Sequence, residues 1–339
     1  MYITNSNLCI RNAVASDAEQ LCAWWNDGAI MAHAGFPNGV GDTPERIRES
    51  LAGDNDGIHR RHIIELAGTP IGEMNYRNKG DSIAEIGIKI CAADEREKSY
   101  GTILLSMFID VLFRYFGYEK IILDTNVKNT RAQHVYEHKL GFRKLSVREN
   151  SWTDQLDVPQ SSIDYDLSKA DWLAAHPQIE YFRFVQVESP DEKSAICENI
   201  LRMLPNWFSV EKSIVNYVKE VRELPFCAAF SGDAAVGFVA LKPHNEYTAE
   251  VCVMGVLQDF HRHGIGRQLI ALCIEECRRA GRLFLTVKTL DQSRESRSYE
   301  KTRLFYQAQG FYPLEVFPLL WDENNPCLFM AKYLGGATE

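Results

Sequence analysis

The sequence predicts an α/β (α+β) chain of two domains built alike, and three observations predict it. At 339 residues there is length for two domains, each able to bury its own core. Strand-like apolar runs alternate with helical periodicity in both halves. Two intervals also recur: Gly72 to Arg96 and Gly237 to His261 each span 24 residues, while Glu85 to Arg96 and Glu250 to His261 each span 11. A repeated order of hairpin, glycine turn and Tyr…Gly-Phe terminus reads as one fold used twice. The boundary is placed near residue 175, giving domains 1–175 and 176–339.

In the first half, Leu8–Val14 reads as a strand, and Ser16-Asp17-Ala18-Glu19 as a capping box opening a helix through Trp25. The aromatic, glycine-rich stretch from Trp24 to Gly39 reads either as an ordinary loop or as a substrate-facing wall. A helix near Pro44–Leu51 follows, then a hairpin from His62–Leu66 to Ile71–Tyr76 and a strand at Glu85–Ile90. Arg96–Thr102 is a turn, Ile103–Phe116 an apolar helix and Ile121–Asp124 a short strand. A helix starts at Asn129 and stops at Gly141-Phe142. Ser162–Leu167 is the last strand, with Lys169–His176 expected as a linker.

The second half repeats this order. Tyr181–Val187 is a strand, and Ser189-Pro190-Asp191-Glu192 is a capping box with proline at the first helical position. Helical sequence runs to about Val221, and Phe226–Phe230 and Val236–Leu241 form the hairpin. A strand beginning at Glu250 enters Asp259–Ile270, and Leu283–Val287 follows. The helix Lys301–Gln309 contains Tyr306 and ends at Gly310-Phe311.

Strand, glycine-bearing turn and helix around Gly264 and Gly266 suit an anion, most naturally a pyrophosphate, held by converging N–H groups. Leu269 stands where a dinucleotide fingerprint needs its third glycine, and no Gly-Lys-Ser/Thr of a Walker loop follows. The stretch His261-Arg262-His263-Gly264-Ile265-Gly266 resembles the Gln/Arg-x-x-Gly-x-Gly/Ala loop of the GNAT N-acetyltransferases, with His261 replacing the usual first residue. The resemblance covers nearly the whole chain. It implies two domains, each with a mixed, mostly antiparallel sheet splayed at the cofactor strand and flanked by helices. The first half, with Trp24-Trp25-Asn26-Asp27 and Asn129…Tyr136…Gly141-Phe142, resembles RimJ/RimL-type and aminoglycoside 6′-type acetyltransferases. It departs at Ser99, where the family has glycine, and in one extra residue between Tyr136 and Gly141. The second half resembles a generic small-molecule acetyltransferase, with Tyr299 where the first half has Asn129.

The resemblance implies acetyl-CoA as cofactor. It implies contacts from Val256, His261, Arg262, His263, Gly264, Ile265, Gly266 and Arg267 in one half. In the other half it implies Arg96, Lys98, Ser99, Gly101, Thr102 and Asn129. Acetyl transfer needs a deprotonated amine, an oriented thioester and a proton for the departing thiolate. By resemblance, Tyr306 and Tyr136 match the proton-donating tyrosine, and Glu250 and Glu85 stand where a base is often found. The better-preserved loop and tyrosine favour the second half as the working one. The acceptor class implied is a small-molecule primary amine; a protein or peptide acceptor, and a non-catalytic coenzyme A-binding tandem, remain as alternatives.

A net charge of −9, with both halves mildly acidic, argues against general nucleic-acid binding. No apolar run is long enough to span a bilayer, and the N-terminal residues lack the shape of a signal peptide. Nine scattered cysteines suit buried thiols in a cytoplasmic protein. His261 and His263 have no third ligand at metal-binding spacing, so no metal is expected. A homodimer is compatible with the sequence.

Overall fold

The computed structural model describes residues 1–335 and divides the chain into two compact units, Met1–Tyr181 and Phe182–Glu339. The first unit runs β1 (Tyr2–Asn5), β2 (Leu8–Asn12), α1 (Ala18–Trp25), α2 (Gly28–Met31), α3 (Pro44–Ala52), β3 (His59–Leu66), β4 (Thr69–Asn78) and β5 (Ile83–Ile90). It continues with α4 (Tyr100–Arg114), β6 (Lys120–Asn126), α5 (Thr130–His134), β7 (Arg143–Thr153), β8 (Pro159–Ser168) and α6 (Lys169–Ala175). Its sheet order is β1-β2-β3-β4-β5-β6-β8-β7, antiparallel throughout except for the parallel β5–β6 pair.

The second unit runs β9 (Phe182–Gln186), α7 (Pro190–Arg202), α8 (Glu211–Glu220), β10 (Phe226–Ser231), β11 (Ala234–Pro243) and β12 (Thr248–Val256). It closes with α9 (Ile265–Arg279), β13 (Phe284–Leu290), α10 (Arg297–Ala308), β14 (Tyr312–Asp322) and β15 (Asn325–Tyr333). Its sheet order is β9-β10-β11-β12-β13-β15-β14, and β12–β13 is the parallel pair. Each sheet is thus mixed, mostly antiparallel and flanked by helices, as the sequence implies.

Three local readings change. Ser16 does not cap α1: Ala15–Asp17 forms a 3-10 turn, and Asp17 instead accepts from the Val14 N–H at 2.8 Å and from Arg11 at 2.8 Å. A carboxylate held by a guanidinium outcompetes a neutral cap there. Lys169–Ala175 is a helix rather than a linker, capped by Ser168, with Trp172 fully buried. The Trp172 indole donates to Asp110 at 3.0 Å, and Asp110 also holds Tyr181 at 2.8 Å and Arg114 at 2.9 Å, so the segment up to Tyr181 is bolted to α4. The expected boundary near 175 therefore falls at the end of a helix of the first unit. The third change concerns the extra residue between Tyr136 and Gly141: Val135–Lys139 forms a π-helical turn that absorbs it. By contrast Ser189 caps α7 as read, accepting from the Glu192 N–H at 3.4 Å.

Candidate active site

In both units the two parallel strands separate. Strand β5 pairs with β6 only over Ile83–Glu85, opposite Lys120–Ile122. Strand β12 pairs with β13 only over Thr248–Val251, opposite Phe284–Val287. Beyond these pairs, Ile86–Ile90 and Cys252–Val256 keep a partner on one side alone, leaving outward N–H and C=O groups as an open edge. The second unit adds a bulge at Cys252, since Ala240 faces Val253 while Leu241 faces Val251; β4–β5 has no such break.

Each open strand runs into a loop that enters a 15-residue helix, and the two loops share one backbone course. Glu97 and Arg262 both have φ +66°, and Ser99 and Gly264 have φ +63° and +82° immediately before α4 and α9. Arg96 and His261 do the same work: the Arg96 Nε donates to the Ile90 carbonyl at 3.0 Å, and the His261 Nε2 lies 2.8 Å from the Val256 carbonyl. The first residue of the motif thus ties the loop back to the end of the strand. Lys98 pairs with Glu95 at 3.0 Å, Arg131 with Glu97 at 3.3 Å, and Asn129 caps α5. Gly266 is packed tightly, since a Cβ there would lie 3.2 Å from the Phe305 ring and 3.3 Å from Met254. Gly101 has nothing within 4 Å.

Tyr136 and Tyr306 are both buried, and among the described residues neither hydroxyl has a hydrogen-bond partner. Burial pushes the Tyr136 phenol up to about 12, with Asp124 adding to the rise, and raises Tyr306 likewise. Both remain protonated, and therefore proton donors, at neutral pH. Tyr217 and Tyr299 lie within electrostatic reach of Tyr306, and Tyr217 in turn of Cys252, Glu250 and Glu220.

The carboxylates diverge. Glu250 is buried and its Oε2 accepts from Lys288 at 2.7 Å and sits 2.7 Å from His244 Nε2. Glu85 is partly exposed and 3.6 Å from Lys79. Glu85 lies beside Ile122, and Glu250 beside Thr286. Two residues further along those strands, at matching places on the same face, stand Asp124 and Lys288. In the second unit the glutamate therefore meets an ammonium, whereas in the first it meets another carboxylate. Partial burial raises the Asp124 carboxyl, opposed by Arg148 at 3.1 Å and reinforced by Asp164 and Glu85. Asp124, Lys288, His244 and Tyr217 went unremarked in the sequence, because nothing local marks a residue as facing a partner across two strands. The recognised spacing does not carry onto the following strand, because Glu85 to Asp124 is 39 residues and Glu250 to Lys288 is 38.

On the first unit's open side, the loop after α2 is fixed to the β7–β8 turn. Gln155 donates its N–H to the Gly35 carbonyl at 2.8 Å and its amide to the Gly39 carbonyl at 3.0 Å. Trp25 donates to the buried Glu73 at 3.0 Å, and Trp24 faces the core. Among the described residues no cluster of His, Cys, Asp or Glu is arranged to hold a metal ion, and no helix is long and apolar enough to cross a membrane.

Two family models match the chain. One, described as an acetyltransferase (GNAT) domain, covers residues 7–143; the other, described as the acetyltransferase (GNAT) family, covers 194–311. YsnE, an uncharacterised N-acetyltransferase of Bacillus subtilis strain 168, is 30% identical over 112 residues, which are 33% of this chain and 71% of that protein. Among solved structures, a spermidine N-acetyltransferase from Vibrio cholerae in complex with CoA and spermine is 24% identical, with a TM-score of 0.45 over 50% of this chain and 99% of its own. A GNAT-family acetyltransferase from Bacillus anthracis is 20% identical, with a TM-score of 0.43 over 50% and 99%.

Proposed function

Because the chain belongs to the GNAT N-acetyltransferases, with two such domains in tandem, we propose that it acetylates the primary amine of a small molecule from acetyl-CoA. The observation that carries this is the pairing of an open strand edge with a phosphate-type loop and an unbonded tyrosine hydroxyl, repeated in each unit. Bound there, acetyl-CoA would supply the activated thioester. The N–H groups of Ser99–Thr102 and of Gly264–Arg267 suit its diphosphate, and the open edges of β5 and β12 suit the amides of its pantetheine arm. Tyr136 and Tyr306 hold a proton for a leaving thiolate.

The acceptor side favours the first unit for the amine chemistry. An amine is cationic at neutral pH, so it is drawn to neighbouring carboxylates and must lose a proton to one of them. Partial burial raises the Asp124 carboxyl, opposed by Arg148 and reinforced by Asp164 and by Glu85 beside it. Glu250 is buried and held by both Lys288 and His244, whereas Glu85 and Asp124 are more exposed and each meets one cation, Lys79 and Arg148. This reverses the preference for the second half that the loop alone suggests, and gives that half a cofactor-binding role.

The test has two parts. Calorimetric titration of acetyl-CoA into the full chain is expected to give two sites; no binding would overturn the reading. Turnover is then followed as CoA thiol release over a panel of polyamines, aminoglycosides and peptides. On the best amine, Asp124→Asn is expected to lower kcat by roughly 100-fold and Glu250→Gln to leave it nearly unchanged. The opposite ranking would return the chemistry to the second unit.

A further inference from the structure

Building on the reading that the second unit holds CoA, we infer that its cleft beside α10 recognises a phosphomonoester on a nucleoside, and so separates CoA from dephospho-CoA. The cleft has a volume of about 470 Å³ and is bounded by the α7–α8 connection, the β12–α9 loop and the start of α10. That volume suits a nucleotide-sized ligand. Its aromatic wall is fixed in advance. The Trp207 indole donates to the Thr302 hydroxyl at 3.0 Å, the Trp207 carbonyl accepts from the Tyr299 hydroxyl at 2.7 Å, and the ring meets His261 edge-on at 5.9 Å. A pinned indole offers a stacking face at little entropic cost, and the Asn206 and Gln258 amides can read a base edge.

The charges specify the phosphate. Arg297 and Lys301 lie one turn apart on α10, line the cleft, and have no acidic partner among the described residues. The first unit provides the contrast. Asn129 matches Tyr299, so Arg131 matches Lys301; yet Arg131 is tied to Glu97 at 3.3 Å. Where the first unit has Glu97, the second has Arg262, in the same φ +66° conformation. One copy neutralises its own cation, and the other has no acid at that position. A cleft with unpaired cations and a rigid aromatic wall matches the 3′-phosphorylated adenosine end of CoA, and predicts that only the second unit reads that phosphate.

CoA, dephospho-CoA and adenosine 3′,5′-bisphosphate are titrated calorimetrically into the full chain. At one of two sites CoA is expected to bind about 10- to 100-fold more tightly than dephospho-CoA, with little difference at the other. The pair Arg297→Ala and Lys301→Ala should bring CoA down to the affinity of dephospho-CoA and leave the latter nearly unchanged. Lys301→Glu, which reverses one of these charges without altering the β12–α9 loop, should do the same. Equal binding of CoA and dephospho-CoA at both sites, or a preference that survives both variants, overturns the inference. Failure of both ligands to bind overturns instead the reading on which it rests.

Discussion

Ser99 and Gly264 adopt one left-handed conformation before their helices, and only glycine does so without strain. Ser99→Gly relieves that strain while adding unfolded-chain entropy, so a net gain of about 0.5–1 kcal/mol in the first unit is expected from urea unfolding. A loss would mean that the serine side chain supports the loop. Among the described residues Tyr306 and Tyr136 have no hydroxyl partner, so Tyr→Phe at either removes a reactive group and no structural bond. Tyr136→Phe is expected to reduce amine turnover by roughly 100-fold with acetyl-CoA affinity intact, and Tyr306→Phe far less. Calorimetry beside steady-state kinetics separates the two effects, and equal loss in both variants would point to chemistry in each unit. At this scale the glycines and tyrosines were legible in the sequence, because each sits in a contiguous motif. The Asp124–Glu85 and Lys288–Glu250 neighbours were not, since strand register alone brings them together.

The helices after the loops are packed unequally. At Gly266 α9 lies against Phe305 of α10 and Met254 of β12, whereas Gly101 opens onto free space. Gly266→Ala should therefore cost about 1–2 kcal/mol and weaken cofactor binding, because the loop would be levered away from α10. Gly101→Ala should leave stability unchanged or slightly higher. Thermal unfolding of the pair checks this, and equal behaviour would contradict the contact with Phe305. The π-helical turn at Val135–Lys139 keeps Tyr136 buried although it stands one residue further from its glycine stop than Tyr306 does. Strands β7, β14 and β15 escaped the sequence reading, and β7 and β14 lie exposed along most of their length.

Across the molecule, acid should weaken the first unit through His62. The ring is fully buried between Tyr76 and Phe108, and neither nitrogen has a hydrogen-bond partner among the described residues. Burial holds its pKa well below the ordinary value. The unfolded chain therefore takes up a proton at about pH 6.5 that the folded unit refuses. Stability is intact above that pH and falls below it by up to about 1.4 kcal/mol per pH unit, until the folded ring itself protonates. His62→Phe, which keeps an aromatic ring against Tyr76 and Phe108, is expected to flatten this limb in urea unfolding between pH 7.5 and 5. An unchanged slope would place the acid sensitivity elsewhere. The duplication itself was legible because two strand-to-loop intervals recur to the residue. The opposite charge at the two apices was not, because it arises on strands that carry no motif.

The unpaired edge of β12 also gives each main-chain amide there a private clock. An N–H that faces solvent exchanges its hydrogen quickly, and one held by an acceptor does so slowly. Between Cys252 and Val256 the residues turned towards β11 are bonded and those turned the other way are free. Isotope uptake should therefore alternate between fast and slow over Val253–Val256, beyond the bulge at Cys252. A ligand lying along the edge would even them out, so its docking could be read one peptide group at a time, and in each unit separately, without following any product.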